Sequence, residues 1–80
     1  MDAEELRYRL QEHGWAETRH GHFDRVIGNR EVRVRFTGPL IEVCIRSQFK
    51  QWVIVAREAA RHAQVTRRGK IHINNTEVRI

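Results

Sequence analysis

The chain predicts a single α+β domain over residues 1–80, with element order α-β-β-β-α-β-β and two helices packed on one face of an antiparallel sheet. Three observations carry this. An acidic start with leucines four apart reads as a capped helix. Between Phe23 and Arg46, apolar and charged residues alternate on either side of Gly28-Asn29 and Gly38-Pro39. Finally, Asn74-Asn75 separates two short stretches rich in isoleucine and valine.

The first helix is expected over 2–13. Asp2 is a good N-cap, Glu4 and Glu5 suit the positive end of the helix dipole, and Leu6 and Leu10 form the inward stripe. Gly14 ends it, and Trp15 is placed to pack back on its last turn. Strands follow at about 22–27, 31–36 and 40–46. The simplest hairpin registers set His22, Phe23 and Asp24 opposite Arg35, Val34 and Arg33. They also set Val32, Val34 and Phe36 opposite Ile45, Val43 and Ile41. Glu31, Arg33 and Arg35 then face Arg46, Cys44 and Glu42. One face becomes apolar and the other pairs opposite charges, and a one-residue slip destroys both patterns. Arg25 on the core face and Val26 on the polar face fit poorly, and call for a bulge or for Arg25 to reach past the sheet rim.

Beyond Ser47, the residues Phe49, Trp52, Val53, Ala56, Ala59, Ala60 and Ala63 recur at helical spacing, predicting a second helix over about 48–64. The β-branched run Val53-Ile54-Val55 opposes it, and a strand at 51–56 followed by a short helix is the competing arrangement. A hairpin of 70–73 and 76–80 closes the domain, with Ile71, Ile73, Val78 and Ile80 available for burial.

Composition bounds the function classes. The single cysteine, Cys44, rules out an internal disulfide and fits a reducing, cytoplasmic setting. No apolar stretch approaches a membrane span, and the acidic start is not a signal peptide, so the chain reads as a complete protein beginning at Met1. Walker, GxGxxG, HExxH, CxxC and GxSxG motifs do not occur, so no nucleotide cofactor or metal is expected. The formal charge of +5 is concentrated late: residues 57–80 carry six basic side chains and two acidic ones. A basic excess of this kind suggests a polyanionic partner.

Two sets of candidate residues follow. Arg57, Arg61, Arg67, Arg68 and Lys70, read as the outer face of the second helix and the loop after it, are the candidate phosphate-binding set. His22, in His20-Gly21-His22, is the candidate general acid or base, with Arg35 beside it to stabilise an anionic transition state. The arginines of strands 31–36 and 40–46 have carboxylates opposite them and are better evidence for the sheet than for a ligand. Cys44 lacks a histidine partner or a helix N-terminus to activate it.

Leu10, His13-Gly14-Trp15, Arg19 and Gly21-His22 resemble the helix, glycine-aromatic step and catalytic turn of the HicA toxins. These are small mRNA interferases with a fold like the double-stranded RNA-binding domain. The resemblance spans about a quarter of the chain by motif, and Gly21 stands where that family has serine. It implies a metal-independent ribonuclease in which His22 assists attack by an RNA 2′-OH. The order α-β-β-β-α expected for residues 2–64 is also similar. Three functions are thus expected to compete. They are a non-catalytic nucleic-acid-binding or regulatory module, a HicA-like endoribonuclease, and a protein-interaction module that uses Trp15, Trp52 or the edge of the C-terminal hairpin.

Overall fold

The computed structural model describes residues 2–80 as one helix and eight strands in two antiparallel sheets. Helix α1 (Ala3–Glu12) begins where Asp2 Oδ1 accepts a hydrogen bond from the Glu5 amide at 2.8 Å, and its buried side chains are Leu6 and Leu10. Trp15 returns to it as expected, its amide donating to the Leu10 carbonyl at 3.0 Å, and its ring is buried.

A five-stranded meander follows: β1 (Ala16–Arg19), β2 (His22–Ile27), β3 (Arg30–Thr37), β4 (Leu40–Ser47) and β5 (Val53–Ala59), paired in that order. The β2–β3 and β3–β4 registers are those the turns predict, residue for residue. Gly28 and Gly38 both have positive φ, as the tight turns require. Arg25 needs no bulge. It stays opposite Val32 and extends across to Gly69, where an added Cβ would clash with its guanidinium. Val26 remains exposed on the polar face.

The expected helix over 48–64 is not formed. Its residues make β5, a short 3₁₀ turn (Ala60–His62) and strand β6 (Ala63–Val65). Among the described residues there is therefore one α-helix, and the two-helix sandwich is corrected to a helix between a five-stranded and a three-stranded sheet. The physical reason lies in Val53-Ile54-Val55, whose branched side chains restrict a helix but suit a pleated edge. Pairing with β4 also satisfies a ladder that a helix would have left open. Of the proposed helical stripe only Ala60 and Ala63 are fully buried, while Phe49 is 95% exposed. Strand β1 had no sequence signal, because all four of its residues are exposed and no apolar period marks it.

The small sheet has the order β6-β7-β8, with β7 (Ile71–Ile73) central and β8 (Thr76–Glu77) at its edge. Asn74 and Asn75 both take positive φ, which matches the type I′ turn expected there. The hairpin is shorter than its predicted 70–73/76–80 span: residues 78–80 lie beyond β8, although the Val78 amide still donates to the Ile71 carbonyl of β7 at 2.9 Å. Val78 and Ile80 instead pack against the core formed by Leu6, Leu10, Trp15, Phe23, Val32, Val34, Phe36, Ile41, Val43 and Ile71.

Candidate polyanion-binding pole and the charged sheet face

The outer face of the large sheet carries the charge pattern that the alternation of β2, β3 and β4 dictates. Asp24 receives both arms of Arg33, with Nε at 2.8 Å and Nη2 at 2.9 Å, and its Oδ2 also accepts from the Thr18 hydroxyl at 3.0 Å. Burial works to raise the Asp24 pKa, but the Arg33 and Thr18 hydrogen bonds outweigh it and hold the carboxyl below its ordinary range. Arg46 pairs with Glu31. Trp52 lies between these two pairs, with the Arg33 and Arg46 guanidinium carbons 4.3 and 4.4 Å from its ring centroid. That aromatic face is therefore occupied by two cations and is not offered to a nucleobase.

Glu42 is the buried anion of this face. It accepts from Arg35 Nε at 2.7 Å and Arg57 Nε at 2.8 Å, and each guanidinium adds a second contact. These hydrogen bonds depress its pKa, overcoming the opposing effect of burial. Arg57, placed in the phosphate-binding set on the sequence, is thus a strand residue paired with a carboxylate. Arg61, from the same set, lies in the 3₁₀ turn beside Pro39 and Ala60, at the opposite end from Arg67 and Arg68. The expected set of five is not one surface.

A different basic group forms at one end of the molecule. The β2–β3 turn, the β4–β5 connection, the C-terminus of α1 and the β6–β7 turn all lie there. Trp15 Nε1 donates to the Gly69 carbonyl at 3.3 Å and ties the β6–β7 turn to the helix end. The turn closes on itself, with the Thr66 amide donating to the Lys70 carbonyl and the Lys70 amide to the Thr66 hydroxyl. It projects exposed Arg67 and Arg68, followed by half-buried Lys70, while Arg25 reaches Gly69 from β2. Arg30 and Lys50 come from the two sheet turns at this end and line one shallow groove. None of these six cations forms an ion pair among the described residues. Arg25, Arg30 and Lys50 were missed on the sequence because only the tertiary fold brings β2 and the two sheet turns to the same end as the β6–β7 turn. The misfit of Arg25 on a core face was the available signal.

A cleft of about 340 Å³ beside this pole is lined by Gly14, Asp24, Arg25, Val26, Glu31 and Arg46. Both of its carboxylates already hold arginines, so it offers no free anion to a cationic ligand.

His22 sits half-buried at the β1–β2 turn, opposite Arg35. Its Nδ1 is buried without a hydrogen-bond partner among the described residues. Burial lowers its pKa below 6.5, Arg33, Arg19 and Arg35 lower it further, and Asp24 opposes them. The imidazole is accordingly neutral at pH 7. Burial raises the Cys44 pKa, which leaves the thiol protonated and unreactive. Among the described residues no group of three His, Cys, Asp or Glu side chains is placed to hold a metal, and no helix is long and apolar enough to cross a membrane. Compared with protein-family models, curated proteins and solved structures, the chain matches none.

Proposed function

We propose that the protein is a non-catalytic nucleic-acid-binding module that grips a phosphate backbone with Arg25, Arg67, Arg68 and Lys70, with Arg30 and Lys50 extending the contact. The observation that carries this is the separation of two kinds of cation. Arg33, Arg35, Arg46 and Arg57 are held by carboxylates on the sheet face. Among the described residues the six at the pole form no ion pair, and they come from four separate segments of chain. Arginine suits this task because its planar fork meets two phosphate oxygens at once. Phe49, 95% exposed beside Lys50, is a single aromatic and not a row of stacking platforms, so the reading is chiefly of backbone charge and not of base sequence.

The test is fluorescence anisotropy with a labelled RNA or DNA duplex over a series of salt concentrations. If four phosphates are engaged, log K falls against log salt with a slope near ~−4. Arg67→Glu/Arg68→Glu is expected to weaken binding by at least ~30-fold, since it both removes and reverses charge. Arg57→Gln, which alters a cation already paired, should leave affinity within about twofold. A salt-independent affinity, or full binding by the doubly reversed variant, would exclude the proposal.

One observation favours a second reading. A neutral His22 flanked by arginines has the properties of a general base beside a developing phosphorane charge, which is the role the HicA resemblance gives it. In that case purified protein cleaves single-stranded RNA without added metal, the rate rises with pH with its midpoint below 6.5, and His22→Ala abolishes it. Cleavage that survives His22→Ala rules this role out. The order α-β-β-β-α of that family is not the order of residues 2–64 here, where one helix precedes five strands.

A further inference from the structure

The two edges of the large sheet are unlike. Edge strand β1 is four residues long, interrupted by a register shift, and carries Glu17 and Arg19. Short length, irregularity and charge are the usual means of blunting an edge. Among the described residues edge strand β5 pairs only with β4; Trp52 precedes it directly, and it opens with the apolar run Val53-Ile54-Val55-Ala56. Val53, Ile54 and Val55 are 58, 44 and 38% exposed, and the first charge comes only at Arg57. A register shift opposite Val43 and Cys44 is the one guarding feature it has.

We propose that β5 pairs antiparallel with β5 of a second copy of this chain, across a two-fold axis at Ile54. The sequence is self-complementary about that residue alone. There, Ile54 meets Ile54 of the other copy, Val53 meets Val55, and Trp52 meets Ala56. All five apolar residues face apolar residues, and the two side chains of unequal size fill each other's space. Arg57 and Glu58 fall outside the overlap, opposite Gln51 and Lys50, so no like charges are opposed.

Shifting the axis by one residue is costly in either direction. Centred on Val55, it sets Val53 against Arg57 and Trp52 against Glu58. Centred on Val53, it sets Val55 against Gln51 and Ala56 against Lys50. Pairing of this kind is isologous and closed. It uses the bare edge of each copy and leaves the two guarded β1 edges outermost, so growth stops at two chains.

Sedimentation equilibrium from about 1 μM to 1 mM is the first measurement. The wild-type chain should move from 9.5 kDa toward twice that mass with concentration. Ile54→Lys opposes two ammonium groups on the axis and should weaken the dimer by ~100-fold or more. A cysteine pair provides a readout that does not depend on that variant folding. Opposed antiparallel residues have Cα atoms about 4.5–5.5 Å apart, within disulfide reach. Ile54→Cys in a Cys44→Ala background should therefore oxidise to a covalent dimer. Cys44 must be removed because it is the β4 partner of Ile54. Tyr8→Cys in the same background, exposed on α1, should remain monomeric under the same oxidation. A wild-type mass that stays at one chain throughout, an undiminished Ile54→Lys dimer, or cross-linking no faster at position 54 than at position 8 each overturns the proposal.

Discussion

Phe23→Ala is expected to cost roughly 3–5 kcal/mol, out of the ~4–12 kcal/mol an 80-residue domain has in total. Phe23 is the largest fully buried side chain and is 1% exposed. It packs edge-on to Phe36, with ring centroids 5.6 Å apart and planes at 72°, which adds a directional contribution to its burial. It projects from β2 into the core that also takes in Leu6, Leu10 and Trp15. Truncation leaves a cavity that β2 cannot collapse into, because its ladder to β3 is continuous from His22 to Ile27. Urea unfolding followed by tryptophan fluorescence measures the loss. Phe23→Leu, which keeps most of the volume, should cost about 1–2 kcal/mol. A loss below ~1.5 kcal/mol for the alanine variant would contradict a core centred on this ring.

The same residue shows what was legible in the sequence. From Phe23 to Arg46 the hydrophobic and charge alternations are independent, yet they demand the same register, so two turns were enough to set three strands against one another. Helix α1 was equally legible, since its cap, its acidic first turn and its terminal glycine agree. The arginine ladder on β3 was correctly attributed to the sheet: Arg33 and Arg35 are held by Asp24 and Glu42.

Residues 48–64 were misread because periodicity alone does not separate the two states there. Alanines at 56, 59, 60 and 63 give helical spacing, while the β-branched residues at 53–55 give strand propensity. The balance is set by a partner far along the chain. Once β4 exists, its outward edge needs hydrogen bonds, and the Ala60 amide finds the Pro39 carbonyl at 2.8 Å, turning the chain off the sheet. The placement of Arg57 and Arg61 on one helix face failed for the same reason. Arg57 and Arg61 were grouped as helix neighbours four apart, whereas the strand puts Arg57 on Glu42 and leaves Arg67, Arg68 and Lys70 to be joined by Arg25. A local reading sees charge density, and only the tertiary fold shows which charges are already satisfied.

Glu42→Gln tests that distinction most severely. Its carboxylate is 8% exposed and lies between two guanidiniums that are 41 and 60% exposed. Removing one partner of a fully buried pair costs roughly 3–5 kcal/mol, because the other charge stays stranded. Solvent reaches both arginines here, so the expected loss is smaller, about 2–3 kcal/mol. The Glu31–Arg46 pair, at 41 and 35% exposure, should contribute only ~0–1 kcal/mol by the same reasoning.

The pH dependence follows from the depressed Glu42 pKa. The folded state holds the anion below the ordinary value of 4.5, so the unfolded chain binds more protons in that window. The stabilisation is fully present above 4.5 and is lost as pH falls through the folded value. Urea midpoints of the wild type should therefore fall as pH drops below 4.5, and more steeply than those of Glu42→Gln, which has no proton to take up there. Adding Arg57→Gln to Glu42→Gln should recover part of the loss at neutral pH by removing one of the stranded cations. Equal pH slopes in the wild type and the variant would show that Glu42 is not the anion on which Arg35 and Arg57 depend. The sheet face would then carry uncompensated charge after all, and the pole would no longer stand out as the place for a polyanion.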